Sequence, residues 1–140
     1  MKIAIINGPN LNLLGKREPT VYGNVSFEDY YAQLQNIFSA VEFSYFQSNV
    51  EGELINELHR VGFNADGIVF NPGGYTHTSV AIGDAIASIK APVVEVHISN
   101  VQARETFRHI SHVSAKAAGT IAGLGLKGYE LAVKFLIEKK

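Results

Sequence analysis

Short, β-branched apolar runs alternate along this chain with stretches of helical period, and that alternation limits the fold more than any other feature. Strands separated by helical crossovers are not joined as hairpins. They pair side by side in the same direction, with the helices covering the faces of the sheet. The runs fall at residues 2–7, 42–47, 67–71, 93–97 and 120–122. Most are too uniformly apolar for a solvated face, as expected of strands buried on both sides. Helical period occupies residues 27–40, 51–61, 78–89 and 129–138, with a shorter piece at 104–110. Leu54, Leu58 and Val61 give the second of these an apolar stripe. Ser26 followed by Asp29 reads as an N-cap with an acid in the first turn.

With 140 residues, 46% of them hydrophobic, the chain can bury one real core, so a single catalytic domain over 1–140 is expected. No linker, repeat or low-complexity segment interrupts it. The simplest topology is an α/β fold with a flavodoxin-like, doubly wound, five-stranded parallel sheet and helices on both faces. A formal net charge of −1 gives no general attraction for nucleic acid or an anionic membrane, and neither is expected as a partner. No cysteine is present, which removes disulfides, thiolate metal sites and a Cys nucleophile and agrees with a reducing compartment. The first apolar run is too short for a signal peptide, and a cytoplasmic location is expected.

A doubly wound sheet binds its ligand beyond the C-terminal ends of its strands. The first strand is followed there by a long loop, residues 8–23, punctuated by Gly and Pro. The third is followed by Asn71-Pro72-Gly73-Gly74-Tyr75-Thr76-His77, and the fourth carries Glu95 and His97 and runs into Ile98-Ser99-Asn100. Asn10, Arg17, Tyr22, Asn71, His77, Glu95, His97, Ser99, Arg104 and Arg108 therefore converge on one rim. They are suited to holding hydroxyls and carboxylates and to moving protons. Taken singly, each also has a structural explanation; the convergence is the signal.

Two other patterns point elsewhere. Gly123-Leu124-Gly125-Leu126-Lys127-Gly128 matches a dinucleotide fingerprint, but no further strand follows it to supply a ribose-binding acid. Its glycines read instead as a tight turn and close helix packing. His109 and His112, with His77, His97 and Glu95, raise the question of zinc, but Arg104 and Arg108 beside them oppose a cation. No metal or other cofactor is expected.

The ordered motifs Asn7-Gly8-Pro9-Asn10-Leu11-Asn12-Leu13-Leu14-Gly15, Arg17-Glu18-Pro19, Tyr22-Gly23, Gln47-Ser48-Asn49, Asn71-Pro72-Gly73, Tyr75-Thr76-His77-Thr78-Ser79 and Glu95-Val96-His97-Ile98-Ser99-Asn100 resemble the type II 3-dehydroquinate dehydratases essentially end to end. The resemblance implies dehydration of 3-dehydroquinate by trans elimination through an enolate, in trimers assembled into a dodecamer. It places the base on Tyr22, activated by Arg17, and enolate stabilisation on Asn10 acting through a water. The acid falls on His97, oriented by Glu95. Asn71 with the backbone of Ile98 and Ser99 resembles the carboxylate pocket. His77 and Arg108 match the groups that hold ring hydroxyls, and Arg104 a supporting arginine. Asp84 matches an acid that reaches a neighbouring subunit's site. Gly15, Pro19 and Gly23 are expected as bends of a lid over residues 14–23. Departures from the pattern are Gly83 where a basic residue is common, Gln102 for His and His112 for Tyr.

Two other classes remain open on the residues alone. One is a flavodoxin-like module that binds a hydroxy acid without turning it over, which would have no use for an activated phenol. The other is a metal-dependent hydrolase built on His77, His97 and Glu95.

Overall fold

The computed structural model describes residues 1–16, 20 and 24–139. Five parallel strands form one sheet in the order β2-β1-β3-β4-β5: β1 Lys2–Asn7, β2 Glu42–Gln47, β3 Gly67–Asn71, β4 Val93–His97 and β5 Gly119–Ala122. The α-helices among the described residues are α1 Phe27–Ile37, α2 Glu51–Val61, α3 Val80–Ser88 and α4 Lys127–Lys139. This is the expected flavodoxin-like arrangement, and the chain reverses its direction of travel across the sheet between β1 and β3.

Period-two alternation divides the core. Ile3, Ile5, Val69, Val94 and Val96 face α1 and α4, where they meet Phe27, Leu34, Tyr129, Val133 and Leu136. Ala4, Ile6, Ile68, Phe70 and Val93 face α2 and α3, where they meet Leu54, Leu58, Val61, Ile82 and Ile86. Each fully buried Leu, Ile or Val contributes roughly 1.5–3 kcal/mol. The edge strands depart from the uniformly buried expectation. β2 and β5 alternate between exposed and half-buried positions, because each lacks a neighbour on one side.

Helix ends differ from the periodicity in instructive ways. α1 stops at Ile37 rather than residue 40, because Phe38 leaves helical geometry and Val41 donates to its carbonyl in the turn into β2. Phe38 and Val41 still pack on the core, which prolonged the apparent period. The Ser26 side chain caps α1 as expected, accepting from the Asp29 N–H at 3.2 Å. Ser79 caps α3 in the same way, accepting from Ile82 at 3.0 Å, so this helix begins at Val80 rather than residue 78. The expected helical piece at 104–110 is instead an extended Arg104 followed by one 3-10 turn, Thr106–His109, with a second such turn, Val101–Ala103, just before it. Neither turn buries a residue, so no apolar stripe holds a longer helix in place.

The glycines at the end of the sheet read as expected: Gly123 and Gly125 turn at positive φ, and Gly128 lies against Val96 and Ile121. Gly83 has a more specific reason than the propensity cost it carries in a helix. A Cβ there would meet the His112 carbonyl oxygen at 2.3 Å, so glycine lets α3 approach that backbone. No described helix is long and apolar enough to cross a membrane.

Candidate active site

β4 explains how a carboxylate comes to lie in the core. Val94 and Val96 face α1 and α4, so Val93, Glu95 and His97 share the opposite face. Val93 completes the apolar cluster there, and Glu95 lies where that cluster ends, fully buried. An isolated buried carboxylate would be costly, and this one is surrounded by donors. His97 Nε2 donates to Glu95 Oε2 at 2.5 Å, and Thr76 Oγ1 donates to the same oxygen at 2.5 Å. Ser114 Oγ donates to Oε1 at 2.5 Å, and the Ser111 hydroxyl lies within 3.3 Å of both oxygens. Thr120, beside Glu95 on β5, adds a longer contact at 3.4 Å.

Burial by itself would raise the Glu95 carboxyl, but the bonds from His97, Ser114 and Thr76 outweigh it and hold the group down at about 2. An ionised Glu95 can only accept, so the His97 Nε2 carries a proton and Nδ1 is the ring nitrogen left for other work. Three of the hydroxyl donors, Thr76, Ser111 and Ser114, come from two segments that cover the end of β4. The 3-10 turn Gly73–His77 supplies Thr76, and the turn around residues 111–114 supplies the serines. The His112 N–H donates to the Thr76 carbonyl at 2.8 Å and locks the two together.

His97 opens onto a cleft of about 180 Å³. Asn10, Asn71, His77, Ile98, Ser99, Arg104 and Arg108 line it. Eight of the residues singled out by sequence are thus gathered at the expected strand ends, with Glu95 directly behind His97. A slightly larger hollow at the opposite ends of β1 and β2, near Lys2 and Arg60, contains none of these groups.

The His77 and His97 rings lie 6.3 Å apart, centroid to centroid. His77 Nδ1 donates to the Ile110 carbonyl at 2.8 Å, leaving Nε2 for the cleft. Burial is the main influence holding His77 below its ordinary value; the Ile110 bond opposes it, and His97 and Arg108 add to the depression. A neutral His77 is suited to accept from a hydroxyl. Arg104 Nη1 donates to Ser99 Oγ at 3.2 Å, and Arg108 Nε donates to Glu105 at 2.8 Å. The Asn71 amide is already partly engaged. Its Nδ2 donates to Tyr129 OH at 2.9 Å and its Oδ1 accepts from Gly73 N–H at 3.1 Å, which leaves one amide N–H.

Of the described residues singled out by sequence, Asp84 does not join the cleft. It is exposed and lies in a separate hollow with Val80, Gly83, His112 and Lys116. Arg17 and Tyr22, with most of the expected lid, lie outside the described residues. The ends of that loop are described: Gly15 has φ of 92°, and a Cβ there would stand 2.9 Å from the Asn24 carbonyl oxygen, so the loop leaves and returns at one place. His109 and His112 do not contribute to the cleft; His109 Nε2 pairs with the Gln102 carbonyl at 3.1 Å.

Sequence reasoning missed the hydroxyl cage and the Tyr129 contact beneath Asn71. Thr76 stood inside a quoted motif, and a buried carboxylate on a central strand is itself a signal that donors must be nearby. Nothing local marked Ser111, Ser114 or Tyr129.

Comparison with other proteins gives a consistent result. The sequence family described as dehydroquinase class II matches residues 1–137. A 3-dehydroquinate dehydratase from an Exiguobacterium species is 56% identical over 139 residues, covering 99% of this chain and 95% of the relative. One from Actinobacillus pleuropneumoniae is 51% identical over 140 residues, covering 99% and 91%. The crystal structure of a type II dehydroquinase from Butyrivibrio crossotus superimposes with a TM-score of 0.94 at 48% identity, covering 98% of this chain and 97% of that one.

Proposed function

We propose, on the premise that this chain belongs to the class II dehydroquinase family, that it is a lyase dehydrating 3-dehydroquinate to 3-dehydroshikimate in the shikimate pathway. The observation that carries the mechanism is the buried Glu95 carboxylate bonded to His97 at the wall of the cleft. Dehydration of a hydroxy-ketone needs a base for the proton beside the ketone, a donor for the enolate oxygen and an acid for the departing hydroxyl.

His97 meets the last need. With Nε2 tied to Glu95, a proton on Nδ1 is the one it can give to the leaving oxygen. Asn10, which also lines the cleft, suits the enolate oxygen through a bridging water. The base is Tyr22, with Arg17 as its activating cation. A free phenol titrates near pH 10, and an adjacent cation can lower that by about one to three units. Ser99, Arg108, His77 and the remaining Asn71 N–H surround the space where the carboxylate and ring hydroxyls are held. The Ile98 and Ser99 backbone at the end of β4 completes the carboxylate pocket, and Arg104 supports it by holding the Ser99 hydroxyl.

An ultraviolet assay following the conjugated enone after adding 3-dehydroquinate tests the activity directly. Since the proposed proton transfers use Tyr22 and His97 and no lysine matches a catalytic position, no metal or imine is required. Turnover is expected to survive exhaustive chelation and treatment with borohydride in the presence of substrate. Loss on chelation with recovery on adding zinc would move the assignment to a metal-dependent hydrolase. Inactivation by borohydride only when substrate is present would indicate an imine.

A dodecamer built from trimers and a cytoplasmic location belong to the same proposal. Asp84 supports the assembly: it is exposed and separate from its own chain's cleft, as a residue serving a neighbour's site would be. Mixed trimers of Asp84→Ala and Tyr22→Phe chains, with subunit exchange verified, are expected to regain part of the activity each parent lacks. Verified mixed trimers that stay inactive would count against a shared site.

A further inference from the structure

The motif Gln47-Ser48-Asn49 at the end of β2 takes no part in the mechanism above, yet its polar groups are engaged with the loops that form the cleft. Asn49 is exposed, where a side-chain amide is ordinarily left to water. Here its Oδ1 accepts from the Asn10 backbone N–H at 2.9 Å and from Gln47 Nε2 at 3.1 Å. Its own carbonyl accepts from Tyr75 OH at 2.8 Å. Gln47 Nε2 also lies 3.1 Å from the Gly8 carbonyl, to which it donates. Asn49, just past the end of β2, therefore joins the loop after β1 to the loop after β3.

The conformation of Asn10 shows why that bond matters. Asn10 has φ of 72° and ψ of −5°, the non-glycine residue with positive φ among the described residues. Asparagine tolerates the left-handed region better than most residues, but it needs local hydrogen bonds to stay there. The N–H of Asn10 is held by Asn49, and its carbonyl accepts from Leu13 N–H at 3.0 Å. These two bonds fix the peptide planes on both sides of its Cα, and so fix the direction in which its side chain leaves the backbone. That side chain caps nothing in the 3-10 turn Leu11–Leu13 that follows.

We propose that Asn49 is a positioning residue for the reaction, holding Asn10 in the left-handed conformation that aims its amide at the developing enolate. The inference rests on the reading of Asn10 as the oxyanion-stabilising group. Such a donor must be held to within about half an ångström, because the charge it serves exists only in the transition state. The bond between Asn49 and the loop that carries the clamps Asn71 and His77 uses its backbone carbonyl, which a side-chain substitution leaves in place. Loss of the Asn49 side chain therefore acts on kcat and spares KM.

The test is a double-mutant cycle on steady-state turnover of 3-dehydroquinate. Asn49→Ala is expected to lower kcat at least about tenfold with KM within about twofold of wild type. Asn10→Ala is expected to lower kcat by at least as much, and adding Asn49→Ala to it should cost little more, because the positioned group is already gone. Asn49→Asp keeps an acceptor oxygen for the Asn10 N–H and is expected to recover most of the lost kcat. Independent, multiplicative losses in the double variant, a rise in KM at unchanged kcat, or an Asp variant as slow as the Ala variant each overturn the inference while leaving Asn10 its role. Near-normal kcat in Asn10→Ala overturns the role of Asn10 itself, and the inference with it.

Discussion

Tyr22→Phe is expected to bind substrate or a non-reacting analogue nearly as well as the wild-type chain and to turn substrate over at least about a hundred times more slowly. The two effects separate because different groups produce them. Affinity comes from the cleft, where His77, Ser99 and Arg108 surround the ligand and Asn71 retains one amide N–H. Proton abstraction is the role proposed for the phenol, and phenylalanine removes that oxygen while keeping the ring. Arg17→Ala should also lose turnover, but with a different signature: without its cation the phenol ionises at higher pH, so the basic requirement in the pH profile moves upward. Calorimetric titration of each variant with an analogue, together with turnover measured across pH, separates these effects. If Tyr22→Phe turned over at a near-normal rate, the base would have to be sought at His77 or His97, the ring nitrogens that share the cleft.

The parts of this site that could be read from sequence are those produced by short-range regularities. The strand Val93-Val94-Glu95-Val96-His97 places Glu95 and His97 on one face simply because side chains alternate. The loops after β1, β3 and β4 meet because parallel strands end together. Where the reading fell short, the contacts are long-range or arise from irregular backbone. Ser111 and Ser114 reach Glu95 across 16 and 19 residues from a turn with no periodic pattern. Tyr129 lies 58 residues beyond Asn71, and its place in the apolar face of α4 gave no sign that its hydroxyl donates to Asn7 and accepts from Asn71 in the core. The segment at 104–110 misled in the opposite way. Its composition allows helix, but Phe107 and Ile110 stay exposed, and with nothing buried it folds only as the 3-10 turn Thr106–His109. Gly83 shows the same limit, since the cost of glycine in a helix is readable whereas the His112 carbonyl beside it is not.

Those long-range donors make Glu95 the residue whose neutral replacement should harm both stability and turnover. In the folded protein its carboxyl is held at about 2, below the ordinary 4.5. A depressed folded-state value means that the ionised group stabilises the fold fully above the unfolded value, and that this contribution is lost as pH falls from roughly 4.5 through about 2. The shift corresponds to stabilisation on the order of 3 kcal/mol. Glu95→Gln is close in shape but cannot ionise. It should therefore unfold at lower urea concentration than wild type at neutral pH, and the gap between the two should narrow as pH falls through that window. Turnover should drop at least about a hundredfold even where the variant is fully folded, because His97 loses the carboxylate that orients its ring. Urea midpoints at neutral and acid pH, with turnover measured under folding conditions, check both effects. A variant with wild-type turnover would show that His97 does not depend on the carboxylate. A stability gap unchanged down to pH about 2 would show that the hydroxyl cage does not hold Glu95 ionised.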